Sequence, residues 1–281
     1  MSPWPQQTGV WQSWSPRADH YRARVLAATI WGLVQGLTEF LPISSSGHLV
    51  VVPEFLGSIG IDVGPPSLAV TAVLHLGTLI AILVYFRDDV MSVLRMRTRP
   101  EGRKIALLVA VGTIPAIVGL PLEDRLESLQ ENAAYVGIAL IATGVILVAG
   151  QWLSRGMRQL LDGRLPDAVI IGIAQAFALI PGISRSGITI AAGNGRRFEP
   201  AQAARFSFLL GIPAVAGAGL VSLPEVLADG ALEPELVVGL LVAALSGYLA
   251  IALLLAALRR VGLLPFALYC FIVGGLTVAI L

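Results

Sequence analysis

The pentapeptide Ile43-Ser44-Ser45-Ser46-Gly47 returns as Ile183-Ser184-Arg185-Ser186-Gly187, 140 positions further along a chain of 281 residues. At the same offset Ala28 matches Ala168, Ile30 matches Ile170, Gly32 matches Gly172 and Gln35 matches Gln175, giving eight identities in the twenty positions from Ala28 to Gly47. Chance supplies about one or two. A chain with this internal echo is expected to fold as one domain built from two related halves, 25–153 and 154–281, behind an N-terminal tail, 1–24.

Each copy of the motif is embedded in apolar sequence. Hydrophobic residues are 56% of the chain and charged residues 13%, against about 25% charged in a soluble domain, so the chain reads as a polytopic membrane protein. Six apolar runs, 67–86, 104–122, 134–153, 203–222, 235–257 and 263–281, reach or approach the roughly 17 to 25 residues that a crossing requires, three after each motif. The connecting segments alternate in charge. Arg95, Arg97, Arg99 and Arg103, then Arg155, Arg158 and Arg164, then Arg196 and Arg197, and finally Arg259 and Arg260 mark basic loops, whereas 123–131 and 224–235 are acidic. The positive-inside tendency puts the basic loops in the cytoplasm. A net charge of +1, with the arginines dispersed, excludes a nucleic-acid partner, which demands a concentrated basic face. The single cysteine, Cys270, closes no intrachain disulfide. The tail carries three tryptophans and several arginines but no continuous apolar core, and reads as an interfacial segment rather than a removed signal peptide.

The repeat segments themselves, 25–41 and 167–181, end at Pro42 and Pro181, where a helix must stop and bare its backbone groups. If both segments dip into the membrane and return, three crossings separate them and they enter from opposite faces. The expected fold is therefore all-α, six transmembrane helices plus two re-entrant helical hairpins in an inverted repeat, with a site shared between the halves. This arrangement leaves the arginine-bearing tail outside, against the charge rule.

Gln35 and Glu39 share a helix face and are followed by Ser44, Ser45, Ser46 and His48. A carboxylate within a membrane segment marks a polar cavity and function, the blander role being a cap near the interface. For the serines, capping of the new helix is the competing role, above all for Ser46, which Ser186 matches. His48 beside these groups is a candidate acid, base or ligand. Arg185 occupies the position of Ser45 in the other half. Its planar, permanently charged fork suits a phosphate clamp, supported by Ser184, Ser186, Thr189 and the amides of Gly182 and Gly187. His75, in mid-span, reads as a packed core residue, and the small-residue runs 137–150 and 211–219 as sites of close helix packing. An acid, hydroxyls, an imidazole and a guanidinium in a membrane cavity suit phosphoryl chemistry on an amphiphile.

At these residues the chain resembles the undecaprenyl-diphosphate phosphatase (bacitracin-resistance) family. Q-G-L-T-E-F-L-P-I-S-S-S-G-H at 35–48 and P-G-I-S-R-S-G-I-T at 181–189 match its signature regions, and H-L-G-T-L-I-A-I-L-V-Y-F at 75–86 and F-S-F-L-L-G-I-P at 206–213 match its flanking spans. The resemblance implies a bacterial plasma-membrane enzyme that hydrolyses undecaprenyl diphosphate to the monophosphate and inorganic phosphate. It further implies a site opening to the outer face, recycling of the carrier lipid for wall synthesis, bacitracin resistance, dependence on a divalent cation and a homodimer. Carried over, the family's acid falls on Glu39, its serine pair on Ser44 and Ser45, its histidine on His48 and its arginine on Arg185. Many members have a second Glu where this chain has Gln35, so a two-carboxylate metal site is not expected, and Gln35 is assigned to a phosphate or ion. The expected mechanism places Arg185 and the 182–187 amides on the terminal phosphate and Mg²⁺ or Ca²⁺ on Glu39. Ser45 or a water is the nucleophile, and His48 or Glu39 takes the Ser45 proton. Two other classes share features with the chain. A polyprenyl-phosphate transporter would use the same repeat plan. A type 2 phosphatidic-acid phosphatase would need a histidine where Ala191 stands and an arginine where Val111 follows Lys104.

Overall fold

The computed structural model describes residues 17–61, 63–122, 126, 128–221 and 234–280. Residues 1–16, four residues of the acidic stretch 123–131 and most of 224–235 therefore lie outside the described residues. Eleven named α-helices follow in order among them: α1 (Arg17–Phe40), α2 (Ser45–Ser58), α3 (Leu68–Tyr85), α4 (Arg87–Leu94), α5 (Pro100–Gly119), α6 (Ala133–Trp152), α7 (Leu165–Ala176), α8 (Arg185–Gly195), α9 (Pro200–Val221), α10 (Pro234–Arg260) and α11 (Leu264–Ile280). Helix α1 takes in the last eight residues of the expected tail, 17–24, because no breaker stands between Pro16 and Pro42.

Among the described residues, five helices are long and apolar enough to cross a membrane: Leu68–Tyr85, Pro100–Leu122, Ala133–Trp152, Pro200–Leu220 and Pro234–Arg260. The sixth expected run forms α11, whose 17 residues span about 25 Å. Several of these helices begin at a proline, which needs no N–H partner in the first turn. Their outward faces are apolar. On α10, Leu241, Leu245, Leu249 and Leu253 form a stripe at four-residue spacing, each more than half exposed, a face that only lipid covers favourably. The chain is a multi-pass membrane protein.

Helices that correspond in the two halves make corresponding contacts: α1 lies along α10 as α7 lies along α5, while α6 meets α11 and α3 meets α9. Close approach at the first two pairs requires glycine. A Cβ on Gly32 would lie 2.6 Å from the Gly239 carbonyl oxygen, and one on Gly172 would run into the backbone of Gly112. Contact at this range replaces side-chain burial with dense backbone packing, the usual cohesion between helices in lipid. Beneath the helices, Phe40 and Phe208 meet edge to face with centroids 5.6 Å apart, and both are fully buried. Such a pair contributes about 0.5–1.5 kcal/mol beyond its buried area, and it anchors the residue next to Glu39.

Candidate active site

Two loops create the site, and each is made by a helix that stops at a proline and a second helix that starts at a serine. In the first, α1 ends at Phe40 and the chain turns through Pro42 to Ser44, whose Oγ accepts from the Gly47 N–H at 3.3 Å and caps α2. In the second, α7 ends at Ala176, a 3₁₀ turn runs to Leu179, and Ser184 caps α8 by accepting from Gly187 N–H at 3.1 Å. Ser45 and Arg185 are thus the first residues of α2 and α8. Each stands where free amides and the helix dipole favour an anion.

The loops bond to one another reciprocally. Gly182 N–H donates to Ser46 Oγ at 3.4 Å, and Ser186 Oγ donates to the Leu41 carbonyl at 3.3 Å. Gly182 has a φ of +90°, and a Cβ there would come within 2.6 Å of the Ala139 side chain, so its position demands glycine. Thr143 on α6 fastens the second loop from below, donating to the Gly182 carbonyl at 2.9 Å and accepting from Ser184 N–H at 3.1 Å.

This bonding brings the charged groups together. Arg185 Nη2 donates to Glu39 Oε1 at 2.6 Å across 146 residues of sequence. Ser45 Oγ donates to the other oxygen, Oε2, at 2.8 Å, and Gln35 Nε2 donates to the same oxygen at 3.1 Å. Glu39 is 9% exposed and Gln35 fully buried. A carboxylate so far from water holds its charge because every partner is a donor, one of them a guanidinium. Arg185 is seated over α9, where Nη1 donates to the Ser207 carbonyl at 3.4 Å and the guanidinium lies against Gly211. Thr189 donates to the Arg185 carbonyl at 2.7 Å and shares a 2.6 Å bond with Ser207 Oγ.

His48 is buried but stands apart from this cluster. Its Nδ1 lies 2.7 Å from the Ser44 carbonyl oxygen, which only accepts, so Nδ1 carries the proton; Nε2 then accepts from Tyr269 Oη at 2.8 Å. Among the described residues no hydrogen bond joins His48 to Ser45, Glu39 or Arg185. His75 donates to the Thr71 carbonyl at 2.8 Å, on its own helix.

The structure therefore gathers Gln35, Glu39, Ser45 and Arg185 into one cluster, with their side chains converging. The hydroxyls of Ser44, Ser46, Ser184, Ser186 and Thr189 cap helices or bind backbone, and hold the amides of Gly182 and Gly187 in place. Sequence reasoning missed Tyr269, Thr143, Ser207 and Gly211. The last two had a signal, since Ser207 and Gly211 lie four apart on one face of an α9 segment already singled out; Tyr269 and Thr143 had none.

No group of three or more His, Cys, Asp or Glu side chains suited to a metal occurs among the described residues. Oxygen donors are nevertheless present. Gln35 Oε1 is buried without a hydrogen-bond partner among the described residues, beside the Glu39 carboxylate and the Ser45 hydroxyl. Amide, carboxylate and hydroxyl oxygens suit a hard divalent cation, so the donor set fits one.

Comparison with known proteins gives a consistent picture. The profile of the family described as bacitracin resistance protein BacA matches residues 28–276. The chain is 44% identical over 248 residues to an undecaprenyl-diphosphatase of Halothermothrix orenii, covering 86% of this chain and 93% of that protein. It is 40% identical to the undecaprenyl-diphosphatase of Methanosphaera stadtmanae, covering 90% and 97%, and 42% identical to that of Synechococcus elongatus, covering 92% of each.

Proposed function

The chain belongs to the bacitracin resistance protein BacA family, and from that premise we propose that it hydrolyses undecaprenyl diphosphate to undecaprenyl phosphate and inorganic phosphate. One observation carries the reading. The guanidinium of one half and a serine hydroxyl of the other converge on the two oxygens of Glu39, at 2.6 and 2.8 Å.

In this mechanism the terminal phosphate competes with Glu39 for Arg185, and the amides that open α2 and α8 take up its remaining oxygens. Ser45 Oγ attacks the terminal phosphorus while its proton passes to Glu39 Oε2. The bond from phosphorus to the bridging oxygen breaks, and that oxygen leaves with the lipid as a monophosphate. The leaving group is stable as an anion and needs no strong acid. Glu39 passes its proton to the departing monophosphate, then takes one from the water that opens the phosphoserine, and that proton returns to Ser45 Oγ. Glu39 is the base because its oxygen already holds the Ser45 proton, whereas both nitrogens of His48 are engaged elsewhere. Direct attack by water yields the same products, and trapping a phosphoserine separates the routes. A divalent cation, Mg²⁺ or Ca²⁺, would be held by Glu39 and Gln35 and would supply further neutralisation of the phosphoryl oxygens.

Helix packing supports the membrane arrangement. Helix α1 runs parallel to α10, with Gly32 against Gly239 and Phe40 against Gly247. The basic end of α10, Arg259 and Arg260, belongs in the cytoplasm, so α1 enters from the outer face. Phe40 then lies about 20 Å from the start of α10, near mid-membrane. Helix α7 runs parallel to α5, with Gly172 against Gly112 and Leu179 against Gly119, and so enters from the basic, cytoplasmic end of α5. The two broken helices enter from opposite faces, forming the re-entrant hairpins of an inverted repeat among six spans, with α11 the sixth. Arg24 pairs with Glu235 at 2.5 Å, which offsets a positive charge on the outer side. The family resemblance adds a bacterial plasma-membrane location, a site open to the outer face, a homodimer, and bacitracin resistance through removal of the diphosphate that the antibiotic sequesters.

The test is orthophosphate release from a polyprenyl diphosphate by the purified protein in detergent, with and without chelator, beside Glu39→Gln. Steady release by the wild type and its loss in Glu39→Gln are expected. A wild type that releases none would leave transport as the function, since detergent offers no second side.

A further inference from the structure

The two loops share a sequence pattern and a set of hydrogen bonds, yet their backbones differ at the capping serine, as they do where Gly182 stands in place of Pro42. Ser184 has φ −72° and ψ 116°, whereas Ser44 has φ 71° and ψ 106°. A positive φ is costly for a residue with a Cβ and persists only where its surroundings hold it. The cap is no explanation, because both serines accept from the glycine three residues on and both bond the serine two residues on, Ser46 or Ser186, at 3.2 Å. The backbone bond is no explanation either, because both carbonyls accept from the N–H four residues on, at 3.2 Å in the first loop and 2.9 Å in the second. Beside the Thr143 hydroxyl that accepts from Ser184 N–H and the exchange of Pro42 for Gly182, the side chain at that fourth position differs: His48 in the first loop, Ile188 in the second. His48 Nδ1–H donates to the Ser44 carbonyl at 2.7 Å, giving this oxygen a second, shorter anchor.

The imidazole is itself fixed from the far end of the chain. Tyr269, on α11, donates to His48 Nε2 at 2.8 Å, and the two rings stack with centroids 5.6 Å apart and planes 12° from parallel. The neighbouring Cys270 thiol approaches the Pro42 carbonyl at 3.9 Å, so α11 supports the same loop on both sides.

We propose that Tyr269 and His48 form a positioning pair that holds Ser44 in its left-handed conformation and thereby aims the Ser45 hydroxyl at Glu39. The inference rests on the proposed roles of Ser45 and Glu39. Ser45 follows the strained residue directly, and its Oγ bridges back six residues to Glu39 at 2.8 Å. Relaxing Ser44 to the backbone of Ser184 would rotate the start of α2 away from the end of α1. His48 has no free lone pair for catalysis, because Nδ1 bears the proton and the Nε2 pair is taken by the tyrosine. Tyr269 sets that tautomer by donating.

The test compares His48→Gln, which keeps a donor for Ser44 and an acceptor for Tyr269 but cannot serve as a base, with His48→Leu and Tyr269→Phe. Steady-state orthophosphate release across pH and thermal unfolding are measured for each. The pair predicts that His48→Gln stays within about tenfold of wild-type kcat with an unchanged pH profile, and that His48→Leu falls at least a hundredfold. Tyr269→Phe is expected to lower kcat about tenfold at constant KM. Equal inactivity of His48→Gln and His48→Leu, with both folded, would make His48 a proton carrier and overturn the proposal, as would an unchanged kcat in Tyr269→Phe. Should His48→Leu fail to fold, Tyr269→Phe and the nitrogen-15 shifts of His48 decide: wild type is expected to show Nδ1 protonated, and a loss of that tautomer in Tyr269→Phe supports the pair. A protonated Nε2 in the wild type overturns it. Absence of hydrolysis in the wild type would defeat the phosphatase reading instead.

Discussion

Gly211→Ala should separate activity from stability, because the group it crowds is the Arg185 guanidinium, whose bond to the Ser207 carbonyl is long and whose partner Glu39 keeps its Ser45 and Gln35 donors. A Cβ at residue 211 would lie 2.7 Å from Arg185 Cζ and 3.0 Å from Nη2, and would overlap Nη1. Ordinary contact needs about 3.5–4.0 Å, so the overlapped Nη1 must withdraw by about 1.5–2 Å. A guanidinium displaced that far stretches the 2.6 Å bond to Glu39 to roughly 4 Å, beyond hydrogen-bond range. A hydrogen bond to a charged group contributes about 1.5–3 kcal/mol, which is about 10- to 150-fold in rate. The helix should tolerate the change: Arg185 is long and able to move, and alanine is preferred over glycine within a helix by about 1 kcal/mol. Orthophosphate release should therefore fall 10- to 150-fold while the unfolding temperature in detergent stays level or rises. Turnover within threefold of wild type would refute the claim that Arg185 must sit over Gly211. A fall in both quantities would show that the glycine serves packing instead.

Arg185→Lys should lose at least a hundredfold in kcat/KM, because a point charge on a flexible stem cannot reach Glu39 and the Ser207 carbonyl together; near-normal kinetics would remove the clamp from the mechanism. Gln35→Glu puts a second carboxylate beside Glu39, and like charges at that depth need a shared proton or a cation between them. Its unfolding temperature should therefore rise with Mg²⁺ more steeply than that of wild type, and identical Mg²⁺ dependence would remove Gln35 from the cation site.

The echoed pentapeptides located both loops of the site, and Pro42 and Pro181 located the breaks, because each of these signals is local and steric. The meeting of Glu39 with Arg185 was legible from the repeat, since broken helices that enter from opposite faces build one site from both halves, whatever the separation along the chain. Helix ends were less legible. The expected apolar run 104–122 becomes a helix that starts at Pro100, since Glu101, Arg103 and Lys104 form an interfacial turn that an apolar window rejects. Tyr269 was illegible for a different reason. It lies within an otherwise apolar helix, 221 positions from His48, and only the packing of α11 against the first loop reveals what its hydroxyl is for. Gly211 belonged to a small-residue run that reads as helix packing, and its four-residue spacing from Ser207 marks a shared face without saying that a guanidinium lies against it.

The two halves have divided one site between them, and electrostatics explains why they could not both keep the same residues. At the offset of 140, Ser45 answers to Arg185, Glu39 to Leu179 and His48 to Ile188. Two arginines at the paired helix starts would set two guanidiniums against a single carboxylate. A carboxylate at residue 179 would be a buried charge with no guanidinium assigned to it, at several kcal/mol of desolvation. The surviving amide records the difference. Gln35 donates to Glu39, whereas its counterpart Gln175 is buried with neither amide atom partnered among the described residues, since the position four residues on is now Leu179. Duplicated loops thus preserved the caps and the cross-bonds that join the halves, which are neutral and can be symmetric. The charged groups had to be shared out, base and hydroxyl to one half and guanidinium to the other, for the cluster to remain close to neutral until an anion arrives.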